Sequence, residues 1–99
     1  MNSEFLTEEK LRGIVKIENM MSGKVCLISS EDIVKSYSSL RFSLDMGTFS
    51  NKMLQDDYDK TGLELFNIEK DVIASKDEDL SLLLEKRKGY YRENSKELY

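Results

Sequence analysis

Two short runs rich in β-branched and aliphatic residues, 13–18 (GIVKIE) and 24–29 (KVCLIS), are separated by Met-Met-Ser-Gly, a connection suited to a hairpin turn. In a strand successive side chains alternate between faces. Val15 and Ile17 therefore share one face, opposite Ile14, Lys16 and Glu18, while Cys26 and Ile28 share a face opposite Val25 and Leu27. Both faces carry apolar side chains. A lone hairpin is marginal in water, so later elements are expected to cover this one.

The pattern then changes period. Ser30-Glu31-Asp32 reads as a helix start, with Ser30 as cap and two acids at the positive end of the dipole. Ile33, Tyr37, Leu40 and Leu44 follow at spacings of four, three and four, and Gly47 ends the helix. Ser50-Asn51 opens a short second helix with Met53, Leu54 and Tyr58 on its apolar side, closed at Gly62. In residues 63–73 the first half, with alternation at Phe66 and Ile68, predicts a third strand. Ser75-Lys76-Asp77 caps a last helix over about 78–93, with Leu80, Leu83, Leu84, Tyr91 and the stem of Arg87 on its inward stripe. Residues 94–99 are polar and expected to fray. Residues 3–11 suggest a short helix or ordered arm, with Phe5 and Leu11 as core contacts. The sum is an α+β layout: a small three-stranded, mainly antiparallel sheet flanked by helices.

Ninety-nine residues suit one domain, here expected over 1–99 with a core of about 12–93. Nineteen acidic against fifteen basic residues leave a net charge of −4, an unfavourable balance for a general nucleic-acid binder, whose phosphate affinity comes from Lys and Arg. No apolar run is long enough to span a bilayer, and the first eleven residues do not resemble a signal peptide, so a cytoplasmic location is expected. Cys26 is the only cysteine and there is no histidine, which excludes an internal disulfide and the usual zinc sites. The missing histidine also removes the commonest general base near neutral pH.

GIVKIEN-MMSGKVCLISS, then a capped helix, NKMLQDDYDKTGLELFNIE and LLLEKRKGYY, resembles the GIY-YIG nuclease domain family over about residues 12–91. The resemblance implies that fold. It also implies where a nuclease would keep its chemistry: a divalent metal on a helix glutamate, tyrosines from both hairpin strands, and an arginine, often with a histidine, on the first long helix. Here the tyrosine positions hold Val15 and Cys26, the second motif reads Cys26-Leu27-Ile28, and the arginine and histidine positions fall at Ser36 and Leu40. Each exchange removes a proton carrier or a charge, and losing one preorganised donor typically costs about a hundred- to a thousandfold in rate. These four are vestigial-site positions, and no catalytic residue is expected. Glu85 matches the metal-binding glutamate in one register; aligning on Tyr90-Tyr91 puts Lys88 there instead.

Val15, Cys26 and Ile28, with Leu40 above them, form an apolar patch that is either added core or a groove for a peptide or protein partner. Lys86, Lys88 and Arg92 beside Tyr90 and Tyr91 are the candidate nucleic-acid contacts, and a solvated helix face is the plainer reading. Asp56, Asp57 and Asp59 read as a solvated face, and Cys26 as a buried, inert thiol. The expected function is a catalytically degenerate GIY-YIG-like binding or regulatory module, with no cofactor, no membrane association, and an unidentified protein or peptide partner favoured over DNA. The alternative is an atypical DNA endonuclease using Glu85, Mg2+ or Mn2+, and residual tyrosines such as Tyr37.

Overall fold

In the computed structural model, which describes residues 10–99, the hairpin forms with the two faces that the alternation implies. Strands β1 (Gly13–Asn19) and β2 (Val25–Ser30) run antiparallel, with Val15 opposite Ile28 and Ile17 opposite Cys26. The Asn19 side-chain oxygen accepts the backbone N–H groups of Met21 and Ser22, and Gly23 takes a positive φ of 81° to close the turn. The arm suggested for residues 3–11 lies mostly outside the described residues; of it, Leu11 is exposed.

The third strand sits later than expected. Residues Leu63–Leu65 form a single 3-10 turn, and β3 spans Phe66–Ile73, pairing antiparallel with the free edge of β1 to give the order β2-β1-β3. Its second half, with Glu69, Lys70 and Asp71, was too polar to read as strand. As an edge strand β3 needs only one inward face and one bonded side, so charged residues are tolerated. Ile14 pairs with Val72 and Val15 with Lys70, so Asp71 is the extra residue of a β-bulge. Gly13 makes that close pairing feasible: a Cβ there would lie 2.1 Å from the Val72 carbonyl oxygen.

Helices cover both faces of the sheet. Helix α1 (Ile33–Met46) is capped by Asp32, whose carboxylate accepts the Lys35 N–H at 3.2 Å, and not by Ser30. Ser30 completes β2, and its hydroxyl instead accepts the Asp32 N–H and bonds the Ser36 hydroxyl. Helix α2 (Lys52–Thr61) is capped by Asn51; Leu54 and Tyr58 are buried as expected, whereas Met53 is exposed. Helix α3 (Leu80–Glu93) starts at Asp79 and not within 75–77. The Arg12 guanidinium takes the carbonyls of Ser75, Lys76 and Glu78, holding that connection in a loop.

The two sheet faces build two cores. Ile17, Leu44, Phe49, Leu54, Tyr58 and Phe66 gather under α1 and α2, with Cys26, Ile28 and Leu40 packed against them. Ile14, Val25, Leu27 and Leu83 gather under α3. No helix among the described residues is long and apolar enough to cross a membrane.

The C-terminal segment is docked, contrary to the expectation that it frays. The Val25 N–H donates to the Glu97 carbonyl and the Tyr99 N–H to the Val25 carbonyl, both at 2.9 Å, so residues 97–99 run parallel to β2 and join it through a single bridge at Val25. The Tyr99 hydroxyl accepts from the Asn19 amide and donates to Asp57. Backbone bonding to an open edge offsets the low hydrophobicity that suggested fraying.

Lys96 ties this segment to the sheet through Glu18, at 3.1 Å. Burial works against the Glu18 carboxylate, but the Lys96 hydrogen bond and the charges of Lys16 and Lys96 outweigh it, holding its pKa below the ordinary 4.5. A pKa lower in the folded state means stability that is present above 4.5 and lost as pH falls through the folded value. Urea midpoints are therefore expected to drop on acidification below about pH 5, and Glu18→Gln is expected to make that drop shallower; an unchanged slope would remove Glu18 from the account.

Candidate functional site

A polar hollow opens at the outer edge of β2. Val25, Cys26, Leu27 and Ile28 form its floor, Phe49, Ser50 and Asn51 one wall, and Lys88, Leu98 and Tyr99 the other, around about 220 Å3. The β2 residues come from the hairpin alternation. The Phe49–Asn51 wall is fixed by the buried Gln55, whose side-chain oxygen accepts the Phe49 N–H while its amide donates to the Leu44 carbonyl. Lys88 reaches the hollow because α3 lies across β2 with Leu83 against Val25 and Leu27.

Of the sequence-predicted site residues, Cys26 and Lys88 come together here. Val15 is fully buried. Leu40 is half-buried against the α1–α2 core, and the Ser36 hydroxyl is bonded to that of Ser30. Glu85 does not line the hollow: it lies on the exposed side of α3, its carboxylate 69 % accessible and 3.7 Å from the Lys88 ammonium. Lys86 and Arg92 are exposed on α3. Of the two residues that the alternative registers put at the glutamate position, Lys88 lines the hollow and Glu85 does not.

The protonation chemistry around the hollow is that of fixed, not exchangeable, protons. Burial pushes the Cys26 thiol up to about 11, against a smaller pull from Lys88, so it is not a thiolate near neutral pH. Burial, together with the hydrogen bond to Asp57, pushes the Tyr99 hydroxyl up to about 12 despite the opposing bond from Asn19. Tyr58 reaches about 12 through burial and its short hydrogen bond to Asp45. Neither tyrosine is poised as a base. Among the described residues no three Cys, Asp or Glu side chains converge to hold a metal ion, and Glu85 is a single carboxylate on the exposed side of α3.

Sequence reasoning missed two polar arrangements. One is the Tyr99 anchor. The other is on the opposite sheet face: Asp71, 3 % accessible, receives the Arg87 guanidinium at 2.7 and 3.2 Å and the Tyr91 hydroxyl. Arg87 contributes its charge here and not only its stem. The available signal was one carboxylate in a β-run facing an Arg and a Tyr four residues apart on a helix stripe.

No protein-family model matches the chain, and a search of curated proteins gives no match. Among solved structures, the catalytic domain of the homing endonuclease I-TevI superposes with a TM-score of 0.66 at 25% identity, covering 83% of this chain and 86% of that one. A point mutant of the same intron endonuclease domain gives 0.67 at 24% identity, covering 84% and 82%. The chain therefore has the α+β fold of the I-TevI GIY-YIG catalytic domain: a three-stranded antiparallel sheet with three helices.

Proposed function

We propose that this domain uses a nuclease fold without phosphodiester hydrolysis, as a binding module for a protein or peptide partner. The observation that carries this reading is Lys88. The family resemblance implies one helix glutamate for a divalent cation, held together with substrate phosphates, and the helix residue that lines the hollow beside Cys26 is a lysine, over an apolar floor. The tyrosine, arginine and histidine positions implied by the family resemblance hold Val15, Cys26, Ser36 and Leu40, which offer a buried methyl cluster, a protonated thiol, a paired hydroxyl and a core leucine.

A second reading, an atypical metal-dependent endonuclease, is favoured by the likeness to an endonuclease catalytic domain and by the solvent access of Glu85. Lys86 and Arg92 on the exposed side of α3 would then face the phosphates. Incubation of purified protein with supercoiled plasmid in Mg2+ or Mn2+ separates the two. No nicking above buffer background is expected, with Glu85→Ala indistinguishable from the parent. Nicking that Glu85→Ala abolishes would establish the enzyme and overturn the binding-only reading.

A further inference from the structure

The outer edge of β2 carries main-chain groups without a partner among the described residues. The Val25 N–H and C=O point away from β1, since they bond Glu97 and Tyr99. Residues two and four further along a strand repeat that direction, so the N–H and C=O of Leu27 and Ser29 also point outward. Among the described residues nothing bonds to them outside the sheet. Leu27 is 6 % accessible, so its outward groups are poorly served by bulk water, and buried main-chain groups are nearly always paired. Neither proline nor bulge protects this edge of β2.

We propose that the β2 edge at Leu27 and Ser29 binds an extended segment of a partner polypeptide by strand addition, with an acidic side chain of that segment meeting Lys88. Two features identify this occupant. The edge already accepts extended backbone: residues 97–99 bond Val25 in parallel through a single bridge, and the proposed segment continues that line. Lys88 lines the hollow beside Leu27, and its one carboxylate neighbour among the described residues, Glu85, sits on the exposed side of α3 at 3.7 Å from the ammonium. Main-chain bonds would supply affinity and the ammonium would select the side chain.

The inference rests on the binding-module reading and specifies its ligand class. The probe is the capped peptide acetyl-TVEVTV-amide, titrated into the full chain with amide chemical shifts and hydrogen exchange as readouts. Saturable binding is expected to slow exchange at Leu27 and Ser29. Lys88→Glu is expected to weaken binding about tenfold, and the peptide carrying Lys in place of Glu is expected to recover it on that variant. Lys88 is a partly exposed helix residue, so this variant keeps the fold. Unaltered exchange at Leu27 and Ser29, or binding indifferent to both charge changes, would overturn the proposal. So would protection of the two amides that depends on protein concentration without peptide, which would make the occupant a second copy. Because no cleavage is measured, a nuclease that binds the peptide defeats only the function reading, and an inactive protein that ignores it defeats only this one.

Discussion

Val15→Asp is expected to abolish folding at 25 °C. Val15 lies on the central strand, fully buried, with Ile28 opposite on β2 and Lys70 opposite on β3. Its face of the sheet is the one covered by α1 and α2, whose neighbouring side chains are apolar. A carboxylate there loses its hydration among apolar side chains, and the Lys70 ammonium, on an exposed residue of the edge strand, offsets only part of a cost of about 4 kcal/mol or more. A domain of this size has only about 5–15 kcal/mol of total stability. Val15→Ala, which removes methyl groups without adding charge, is expected to cost about 2 kcal/mol and to leave a cooperative urea transition. The pair of variants separates burial from charge. A Val15→Asp protein that stays folded but loses a partner would place Val15 in an open groove, the other reading of the apolar patch.

The same position shows what the sequence could convey about the fold. Alternation in 13–18 and 24–29 gave the hairpin and both faces, because period-two patterning fixes the side of each residue once a face is buried. Spacings of three and four gave α1 and the inward stripe of α3. What failed was local competition between caps. Ser30 and Asp32 are equally good caps by type, and the choice of Asp32 depends on Ser30 being taken up by β2, a tertiary fact. Strand β3 shifted for a related reason: its polar second half is held by hydrogen bonds to β1, and backbone pairing leaves no trace in hydropathy.

Legibility of the candidate site was divided in the same way. The exchanged positions were visible residue by residue, since a valine or cysteine stands out against a motif. The helix register was not: Glu85 and Lys88 lie three residues apart, on nearly the same side of one helix, and only the docking of Leu83 on Val25 and Leu27 brings Lys88 to the β2 edge. The docking of residues 97–99 was invisible for the reason that hid β3. Its main-chain bonds to Val25 are independent of side-chain type, and the side chains that anchor it, Lys96, Leu98 and Tyr99, stand in a polar stretch without periodicity.

Breaking the buried Asp71–Arg87 pair is expected to be the second most damaging single change, and the two halves are expected to differ. Arg87→Met leaves the Asp71 carboxylate, 3 % accessible, with only the Tyr91 hydroxyl. The expected cost is about 3–5 kcal/mol, the range for removing one partner of a buried pair. Asp71→Leu leaves the guanidinium instead. That group is 23 % accessible and lies over the Tyr90 ring at 4.4 Å, so it can turn toward water, and the expected cost is smaller, about 2 kcal/mol. The double variant is expected to recover most of the Arg87→Met loss, because an apolar pair carries no desolvation penalty. A double-mutant cycle in urea measures the coupling directly. Equal single costs that add in the double would show the pair to be uncoupled, and α3 would then be held on the sheet by Leu80, Leu83 and Leu84 alone. A large coupling makes the bulge at Asp71 the fixture that sets how α3 crosses the sheet, and thereby what carries Lys88 to the edge of β2.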